Sequence, residues 1–479
     1  MKKYILLFLG LSMFVTSCSN DDDVEVPTDI VVQNFMWRAM NLWYFWQGDV
    51  PNLADTRFST NAEFNQFLQQ TPDPEEFFFD VLLFNEDRFS FLNEDYKELV
   101  NNLSGVSKSN GLEFGLVRFS GSDDIFGYVQ YIVPNSDAST KAIARGDIFT
   151  RVDGQQLNVN NYVDLLFGDN DTYTLGMADI DGSNVVDNDT EVSLTKVENQ
   201  VEDPILVATT LDINGTKIAY LMYNRFLSGF NEQLNAAFAQ FVADGATELV
   251  LDMRYNPGGS VNTSRLLASM IYGTNTSELY IRQRWNDKIQ SQLSTAQLED
   301  YFANSTGSSA INTMNLDRVY VLATNGSASA SELVMNGLAP YVDVIHIGEA
   351  TRGKNEFSIT LVDIPGNDYI YDSSKQNEIN SQNKWGLQPL VGRNENADGF
   401  YDYTDGLVPD IVLEEDLANL GILGDPNEPL LAKAIEEITG ISGKRDFTVQ
   451  MAAKAFTTSN LETPLRDNMY LDKPLNLKF

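Results

Sequence analysis

The chain has 479 residues, which is enough for about three or four folding units of ~100–200 residues each. Hydrophobic residues make up 43% and charged residues 21% of the sequence, as is typical of globular proteins. The formal net charge of −36 at pH 7 repels nucleic acids and anionic lipid surfaces, which argues against a nucleic-acid partner. Cys18 and His346 are single residues of their types, so an internal disulfide and a Cys/His zinc site are excluded.

The N-terminal segment, residues 1–17, has the layout of a signal peptide. Two lysines form a basic start, and the apolar stretch at 4–16 is shorter than the ~20 residues of a membrane-spanning helix. The stretch runs into V-T-S-C, which resembles a bacterial lipobox and implies lipid attachment to Cys18. We therefore expect a cell-envelope protein, lipid-anchored in the outer membrane on its periplasmic face or at the cell surface. An unmodified secreted protein is the alternative.

An acidic tether is predicted at residues 18–28, followed by a small, mainly helical domain at residues 29–104. The helical prediction rests on apolar residues that recur at helical spacing. These residues are Phe35, Met36, Ala39, Met40 and Trp43.

Residues 105–200 have strand-like alternation and frequent turns, which predict a β domain. The runs V-P-N-S, R-G-D-I and V-D-G, in this order between residues 133 and 154, resemble a PDZ domain. The resemblance implies that a peptide C-terminus binds to the backbone of a loop and adds to a sheet edge. That loop consists of Gly111, Leu112, Glu113 and Phe114. Glu113 departs from the usual glycine, and so does Ile143 after the small-residue position.

Residues 205–440 alternate between apolar strands and amphipathic helices, which predicts a mostly parallel sheet. The predicted strands are residues 218–223, 249–251, 319–322 and 344–347, and the predicted helices include residues 234–242 and 330–338. The C-terminal tail, residues 441–479, has no clear periodicity.

Ser329 lies in the run T-N-G-S-A-S-A-S-E, at residues 324–332, where a predicted strand ends and a helix begins. Small residues allow a substrate backbone to approach, and the helix N-terminus favours developing negative charge. Ser329 and Glu332 also fit a capping box, in which the serine only caps the helix.

A second run, G-E-A-T-R-G-K, follows the next predicted strand and ends at Lys354, 25 residues beyond Ser329. The two runs at this separation resemble the C-terminal-processing (tail-specific) peptidases of family S41. The resemblance implies that Ser329 is the nucleophile and Lys354 the base, without a metal, nucleotide or other cofactor. It also implies backbone oxyanion donors at Ala330 and in the D-x-R-x-N-x-G-G run, at Gly258 or Gly259. A closing G-x-x-P-D run at residues 406–410 fits the same family.

A solvated lysine titrates near ~10.4, so Lys354 becomes a base at neutral pH only if burial lowers its pKa. His346 is the rival base, although its place among apolar strand residues favours a packed structural role. Many family members carry a lysine-orienting glutamine where this chain has Ser358. Asn355, Glu356 or Ser358 are the candidates for that role, and Glu356 would raise the lysine pKa. Pro340 also stands where family members are often acidic.

The expected fold is a multidomain α/β protein, α+β overall. Its parts are a helical N-terminal domain, a PDZ-like β domain and a ClpP/crotonase-like α/β catalytic domain. The expected function is a serine endopeptidase that hydrolyses unstructured proteins or peptide tails in the cell envelope. The alternatives are a catalytically idle, PDZ-containing peptide-binding lipoprotein, and a serine hydrolase that uses His346. The oligomeric state is left open.

Overall fold

The N-terminal part of the chain is mainly helical and shares a hydrophobic core with the later α/β part. The computed structural model describes residues 27–441, 447–462 and 467–472. The first elements are α1 (Val31–Trp43), α2 (Asn61–Leu68), α3 (Pro74–Glu76), β1 (Phe91–Asn93) and α4 (Tyr96–Leu103). The predicted apolar face of α1 is buried, including Phe35 and Met40. The indole N–H of Trp43 donates to the Asp368 carbonyl at 2.7 Å, so this helix is tied to residues far along the chain.

The next part of the chain is an antiparallel sheet, which confirms the strand-like pattern of residues 105–200. The strands of this part are β2 (Val106–Ser109), β3 (Leu112–Arg118), β4 (Ile125–Ile132), β5 (Ile148–Val152), β6 (Gln155–Gln156), β7 (Thr172–Asp181), β8 (Asn184–Thr195) and β9 (Val197–Val201). β2 and β9 pair with each other in a separate two-stranded sheet. Neighbouring strands follow the order β3-β4-β5-β7-β8. A helical turn at Val163–Phe167 closes one side of the sheet, where the rings of Phe114 and Phe167 stack at 5.8 Å.

The third part is a mixed α/β unit built on a mostly parallel sheet. Its elements through α9 are β10 (Ile205–Ile213), β11 (Thr216–Tyr223), α5 (Asn231–Asp244), β12 (Glu248–Asp252), β13 (Gly259–Ser260), α6 (Val261–Ile271), β14 (Leu279–Trp285), α7 (Asp287–Gln290), α8 (Thr295–Leu298), β15 (Glu299–Tyr301), β16 (Arg318–Ala323) and α9 (Ala330–Leu338). The elements that follow are β17 (Asp343–Gly348), β18 (Glu356–Ser358), β19 (Gly386–Gln388), β20 (Leu390–Asn396), β21 (Ile411–Val412) and α10 (Pro429–Thr439).

The strand order of this sheet is β10-β11-β12-β16-β17-β21. Every neighbouring pair is parallel except β10 and β11. The predicted parallel sheet is therefore confirmed, and with it the multidomain α/β class; the ClpP/crotonase-like subtype stays a prediction. Alternate side chains of each strand face opposite layers of helices. Leu249 and Leu251 pack with α5, α6 and α9, whereas Val250 packs with α10. Burial on both faces explains the uninterrupted apolar runs in the sequence.

The C-terminal tail contains two short strands, β22 (Thr457–Thr458) and β23 (Met469–Tyr470). The first extends the β-domain sheet beside β3, and the second lies in another sheet of order β13-β23-β18-β20-β14-β15. Two-residue strands leave no periodic pattern, which is why the sequence did not predict them. In the described ranges, no helix is long and apolar enough to cross a membrane.

Candidate active site

Ser329 occupies a strained turn between β16 and α9. Its backbone has φ 63° and ψ −113°, whereas an ordinary N-cap residue has extended backbone. A non-glycine residue at such a φ costs roughly 1–3 kcal/mol and persists only where its surroundings enforce it. The side chain is buried, and its Oγ has no hydrogen-bond partner within the described residues. Ser329 and Glu332 do form the capping-box arrangement at the start of α9, but the positive φ and a hydroxyl without a regular hydrogen bond are not what capping alone requires.

Glu332 connects the serine segment to the lysine segment. Its buried carboxylate accepts the main-chain N–H of Ser329 at 2.7 Å and that of Lys354 at 2.9 Å. It also accepts the N–H of Gly353 at 2.7 Å and the hydroxyl of Thr351 at 2.6 Å. Burial raises the pKa of Glu332 to about 7, although these four hydrogen bonds oppose the rise. The capping-box glutamate thus fixes the main chain of both predicted catalytic residues.

Lys354 is enclosed by the protein, with 1% of its surface exposed. Burial lowers the pKa of its amine to about 8, because the charged form loses its hydration. Nearby carboxylates favour the charged form and limit the fall in pKa. These are the carboxylates of Asp467, Glu356, Asp87 and Glu332. At pH 7 roughly a tenth of such amines are unprotonated, which is the form that a general base requires.

The Lys354 amine has two contacts that the sequence did not predict. Nζ donates a hydrogen bond to the main-chain oxygen of Asp467 and lies 5.0 Å from the centre of the Phe89 ring. Phe89 belongs to the N-terminal helical part, and Asp467 to the C-terminal tail. The structure brings Ser329 and Lys354 into one site through Glu332, but no hydrogen bond joins Ser329 Oγ to the amine in the described part of the chain.

The D-x-R-x-N-x-G-G turn, residues 252–259, packs closely against Ser329. Asn256 donates to the Tyr223 carbonyl at 2.7 Å, and its Oδ1 accepts the N–H of Gly258 at 2.9 Å. A Cβ added to Gly258, which has φ 113°, would lie 2.6 Å from Cβ of Ser329. Only glycine fits this close contact at this backbone angle.

The two glycines of this turn differ as oxyanion donors. The Gly258 amide is already bonded to Asn256, so it is not available to an oxyanion. Phe226 donates to Gly258 O at 2.9 Å and accepts from Ser260 N–H at 2.8 Å. Successive main-chain N–H groups along a strand point to opposite sides, so the Gly259 N–H points away from Phe226 and towards β23. Ala330 is the first residue of α9, so its N–H is outside the helical ladder. The N–H groups of Gly259 and Ala330 are therefore the predicted hydrogen-bond donors to the oxyanion.

A buried ion network anchors the same turn. Arg254 is fully buried and forms ion pairs with Asp252 at 2.7 Å, Glu428 at 2.6 Å and Glu415 at 3.0 Å. Glu415 also pairs with Arg145 of the β domain at 2.7 Å. Loss of one member of such a network leaves an uncompensated buried charge, which is strongly destabilising. Glu415 and Glu428 are far from the motif in sequence, so no spacing pattern predicted them.

The residues proposed to orient the lysine lie around it without bonding to its amine in the described structure. Ser358 Oγ lies 2.8 Å from Asn468 Oδ1 and accepts from Gln388 at 2.9 Å. The Asn355 amide donates to the Tyr401 carbonyl. Glu356 is buried, and burial raises its pKa. Of the three, Glu356 acts on Lys354 through charge, in the direction predicted.

His346 lies on β17 with its ring buried. Its Nε2 is 3.3 Å from the Ala323 carbonyl, and burial lowers its pKa. Its main-chain N–H donates to Asp410 Oδ2 at 2.8 Å. These contacts are with the strand framework and not with the Ser329 hydroxyl, as expected of a packed structural histidine.

The predicted peptide-binding loop borders a cavity of about 460 Å³ in the β domain. Leu112, Glu113 and Phe114 line it, and Gly111 precedes them at the start of β3. Ser459 of the C-terminal tail lies here: its Oγ accepts the Phe114 N–H at 2.9 Å and is 2.6 Å from the Glu113 carboxylate. Burial raises the pKa of Glu113 to about 7. The predicted lipid-attachment residue, Cys18, lies outside the described residues.

Comparison with known proteins agrees with this architecture. Residues 217–389 match Peptidase family S41, and residues 31–91 match the Peptidase S41 N-terminal domain. The chain is 25% identical over 198 residues to a "Probable CtpA-like serine protease" of Staphylococcus aureus, covering 41% of this chain and 34% of that protein. It is 23% identical over 237 residues to a carboxyl-terminal-processing protease of Synechocystis, covering 49% of this chain and 47% of that protein.

A crystal structure of an S41-family protein from Bacteroides fragilis has the same fold. It superimposes with a TM-score of 0.63 at 26% identity and covers 85% of this chain and 97% of that one. The fold and the site therefore define a multidomain α/β protein with a serine-containing turn opposite a buried lysine. Residues 217–389 are thus similar to peptidase family S41, and residues 31–91 to the N-terminal domain of that family. The chain spans about a third of the length of the staphylococcal relatives that it matches.

Proposed function

We propose that this chain is a serine peptidase in which Ser329 is the nucleophile and Lys354 the general base. The observation that carries the proposal is the carboxylate of Glu332, which accepts the main-chain N–H of both residues. It fixes the two segments relative to each other, and burial supplies a lysine pKa of about 8. Serine needs such a base, since its hydroxyl is a weak nucleophile until a proton is removed.

The reaction follows from these groups. The neutral Lys354 amine takes the proton of Ser329 Oγ as Oγ attacks the scissile carbonyl carbon. The amide N–H groups of Gly259 and Ala330 stabilise the oxyanion, and losing one such donor typically costs ~10²–10³ in rate. The protonated lysine then gives its proton to the leaving amine, which departs and leaves an ester on Ser329. Water, deprotonated by the same lysine, hydrolyses the ester and restores the serine.

The proposed substrates are unstructured proteins or peptide tails. A carboxyl-terminal-processing protease is among the relatives, which supports this substrate class. The cavity beside β3 supports a peptide-binding role for the PDZ-like domain because it borders a strand to which a peptide could add; its lining carries five acidic residues as well as three basic ones. Lys108, Lys196 and Arg225 are the basic residues in its lining.

We place the protein in the cell envelope, with a lipid anchor on Cys18. The signal-peptide layout and the lipobox-like run support this location. The test is metabolic labelling with a fatty-acid analogue followed by membrane fractionation. We expect labelled wild-type protein in the outer-membrane fraction and unlabelled Cys18→Ser protein outside it. Equal labelling of both proteins contradicts the anchor.

Peptide turnover tests the catalytic proposal. An unfolded protein substrate is incubated with wild type, Ser329→Ala, Lys354→Ala and His346→Ala, each checked for folding by circular dichroism. We expect turnover by wild type and His346→Ala only. Loss of turnover in folded His346→Ala alone would indicate the rival histidine mechanism.

A second candidate function is peptide binding without catalysis. The observation that favours it is the Lys354 amine, which bonds to the Asp467 carbonyl and not to the serine hydroxyl. Absence of turnover by the wild type across varied peptides, with retained peptide binding, would establish this second function.

A further inference from the structure

The chain's own C-terminal segment, Asp467–Asp472, lies in the predicted catalytic cleft as an added strand. Its strand β23 is parallel to β13 on one side and to β18 on the other. Met469 pairs with Gly259, and Tyr470 pairs with both Ser260 and Ser358. β13 carries a predicted oxyanion donor, and β18 begins two residues after the lysine. An extended peptide that fills this position must therefore pass beside both catalytic segments.

The main chain of this segment contacts the reacting groups. The Asp467 carbonyl accepts the hydrogen bond of the Lys354 amine. The Asn468 carbonyl oxygen lies 2.8 Å from the position that a Cβ on Gly258 would occupy, and Ser329 Oγ lies 2.9 Å from the same position. A main-chain carbonyl of the segment and the serine hydroxyl thus both border Gly258, in the same part of the cleft.

Side chains of the segment also have partners on the cleft walls. Arg352 Nε donates to the carboxylate of Asp467 at 2.9 Å, with 5% of the Asp467 side chain and 34% of the Arg352 side chain exposed. At the other end, Ser260 Oγ donates to Asp472 at 2.8 Å. Arginine and carboxylate form a charge-assisted hydrogen bond with defined geometry, so this position suits a negatively charged side chain.

A second stretch of the tail occupies the other predicted peptide site. Thr457 and Thr458 pair antiparallel with Leu116 and Gly115 of β3, which is the sheet edge beside the predicted carboxylate loop. The tail therefore adds a strand to the β domain and, further along, a strand to the catalytic unit. Both contacts use the mode in which an external peptide would bind.

We infer that the cleft between β13 and β18 is a strand-binding site for peptides in which Arg352 selects an acidic side chain, and that Asp467–Asp472 occupies it as an intramolecular ligand. This inference rests on the proposed peptidase function, and it names the substrate class as extended peptides with Asp or Glu at the position of Asp467. An incoming substrate must displace the segment.

Weakening the segment tests its occupancy of the cleft. The full-length variant Asp467→Ala/Asp472→Ala loses the side-chain contacts with Arg352 and Ser260 but keeps its backbone. We expect kcat/KM on an unfolded protein to rise about three- to thirtyfold, as for loss of one or two polar contacts. Rates are compared at pH 9.5, because removal of Asp467 also lowers the Lys354 pKa and would raise the rate at neutral pH.

The matched control is Asp181→Ala/Asp189→Ala, which makes the same charge change on exposed residues of the β7–β8 hairpin. We expect its rate to equal that of wild type. A rise in both double variants, or in neither when the wild type is active, overturns occupancy of the cleft by the segment.

Peptide binding separates this inference from the catalytic proposal. The probe is a fluorescent peptide of the sequence DNMYLD, measured on the full chain carrying Ser329→Ala with Asp467→Ala/Asp472→Ala. We expect binding at least threefold tighter than to Ser329→Ala alone, and a KNMYLD peptide to bind at least threefold more weakly. In the same background, Arg352→Glu should reverse the preference and Arg352→Gln should abolish it.

The outcomes distinguish the strand-binding inference from the proposed peptidase function. Binding with the expected charge preference but without turnover by any form supports this inference and overturns the peptidase function. Turnover by the wild type with no binding of DNMYLD, or with a preference unchanged in Arg352→Glu, overturns this inference and leaves the peptidase function standing.

Discussion

The carboxylate of Glu332 accepts the main-chain N–H of Lys354 at 2.9 Å. The two residues are 22 positions apart, and the same carboxylate also accepts the N–H of Ser329, three positions before it. Glu332 is therefore a positioning residue: it holds the serine turn and the lysine segment together without a place in the predicted proton transfer.

Replacement of Glu332 should therefore damage both folding and turnover. Glu332→Ala leaves four buried donors without an acceptor, and each unsatisfied group costs about 1–3 kcal/mol, so we expect a loss of at least about 3 kcal/mol. Glu332→Gln keeps one carbonyl oxygen and should lose less, while both variants should have at least about tenfold lower kcat. Urea unfolding and steady-state kinetics provide the measurements, with exposed Glu94→Gln as control. Wild-type stability in Glu332→Ala would show that the four hydrogen bonds are not formed.

The strained backbone of Ser329 makes a separate prediction. Ser329→Ala and Ser329→Gly both remove the nucleophile and should lower kcat by about 10⁴-fold or more. Glycine accepts the positive φ without a Cβ, whereas alanine keeps the strain. We expect Ser329→Gly to be about 1 kcal/mol more stable than Ser329→Ala, although glycine usually destabilises through its unfolded-state entropy. Equal stability, or greater stability of the alanine variant in thermal unfolding, would mean that the turn is not strained.

The buried lysine predicts the pH dependence of the reaction. Only the neutral amine accepts a proton, and its fraction rises with pH through the Lys354 pKa of about 8. The kcat/KM of the free enzyme should therefore rise with pH and level off above about pH 9. Glu356→Gln removes a carboxylate that raises the lysine pKa, so the midpoint should move to lower pH. A midpoint that does not respond to this change would argue against Lys354 as the titrating group.

Phe89 links the N-terminal domain to the lysine chemistry. Its ring covers the amine, and Phe89→Ala should admit water to Lys354. Hydration raises the lysine pKa, while loss of the ring's attraction for a cation lowers it. Burial is the dominant cause of the shifted pKa, so we expect the midpoint of the pH profile to rise and activity at pH 7 to fall. Phe79→Ala, at an exposed phenylalanine of the same domain, should leave the profile unchanged.

The sequence predicts those helices and strands whose apolar spacing can be recognised within one short stretch of the chain. The helix at residues 330–338 was predicted at the bounds the structure has, because its apolar spacing and its small-residue start coincide there. The predicted strands 218–223 and 249–251 agree with the structure to within two residues at each end, because burial on both faces gives continuous apolar runs. The serine and lysine segments were paired by resemblance, and the structure brings them together through Glu332.

The contacts that determine the chemistry of the site were not predictable in this way. Phe89 and Asp467 reach Lys354 from opposite ends of the chain, and neither lies in a motif. Glu415 and Glu428 compensate Arg254 across more than 150 residues. Such contacts depend on tertiary packing, so the periodicity of a single sequence does not predict them. Ser358 was a candidate by its position relative to the lysine, but its hydroxyl faces Asn468.

The most direct test of the central claim is the hydrolysis of an unfolded protein by Lys354→Ala at pH 9.5, compared with wild type and Ser329→Ala. Folding of each variant is checked beforehand, and the segment-weakened background Asp467→Ala/Asp472→Ala is used for all three. We predict turnover by the protein that keeps both Ser329 and Lys354 in this background. Each single replacement, Ser329→Ala or Lys354→Ala, should lower the rate by about 10⁴-fold or more. Turnover that survives Lys354→Ala would contradict the serine–lysine mechanism.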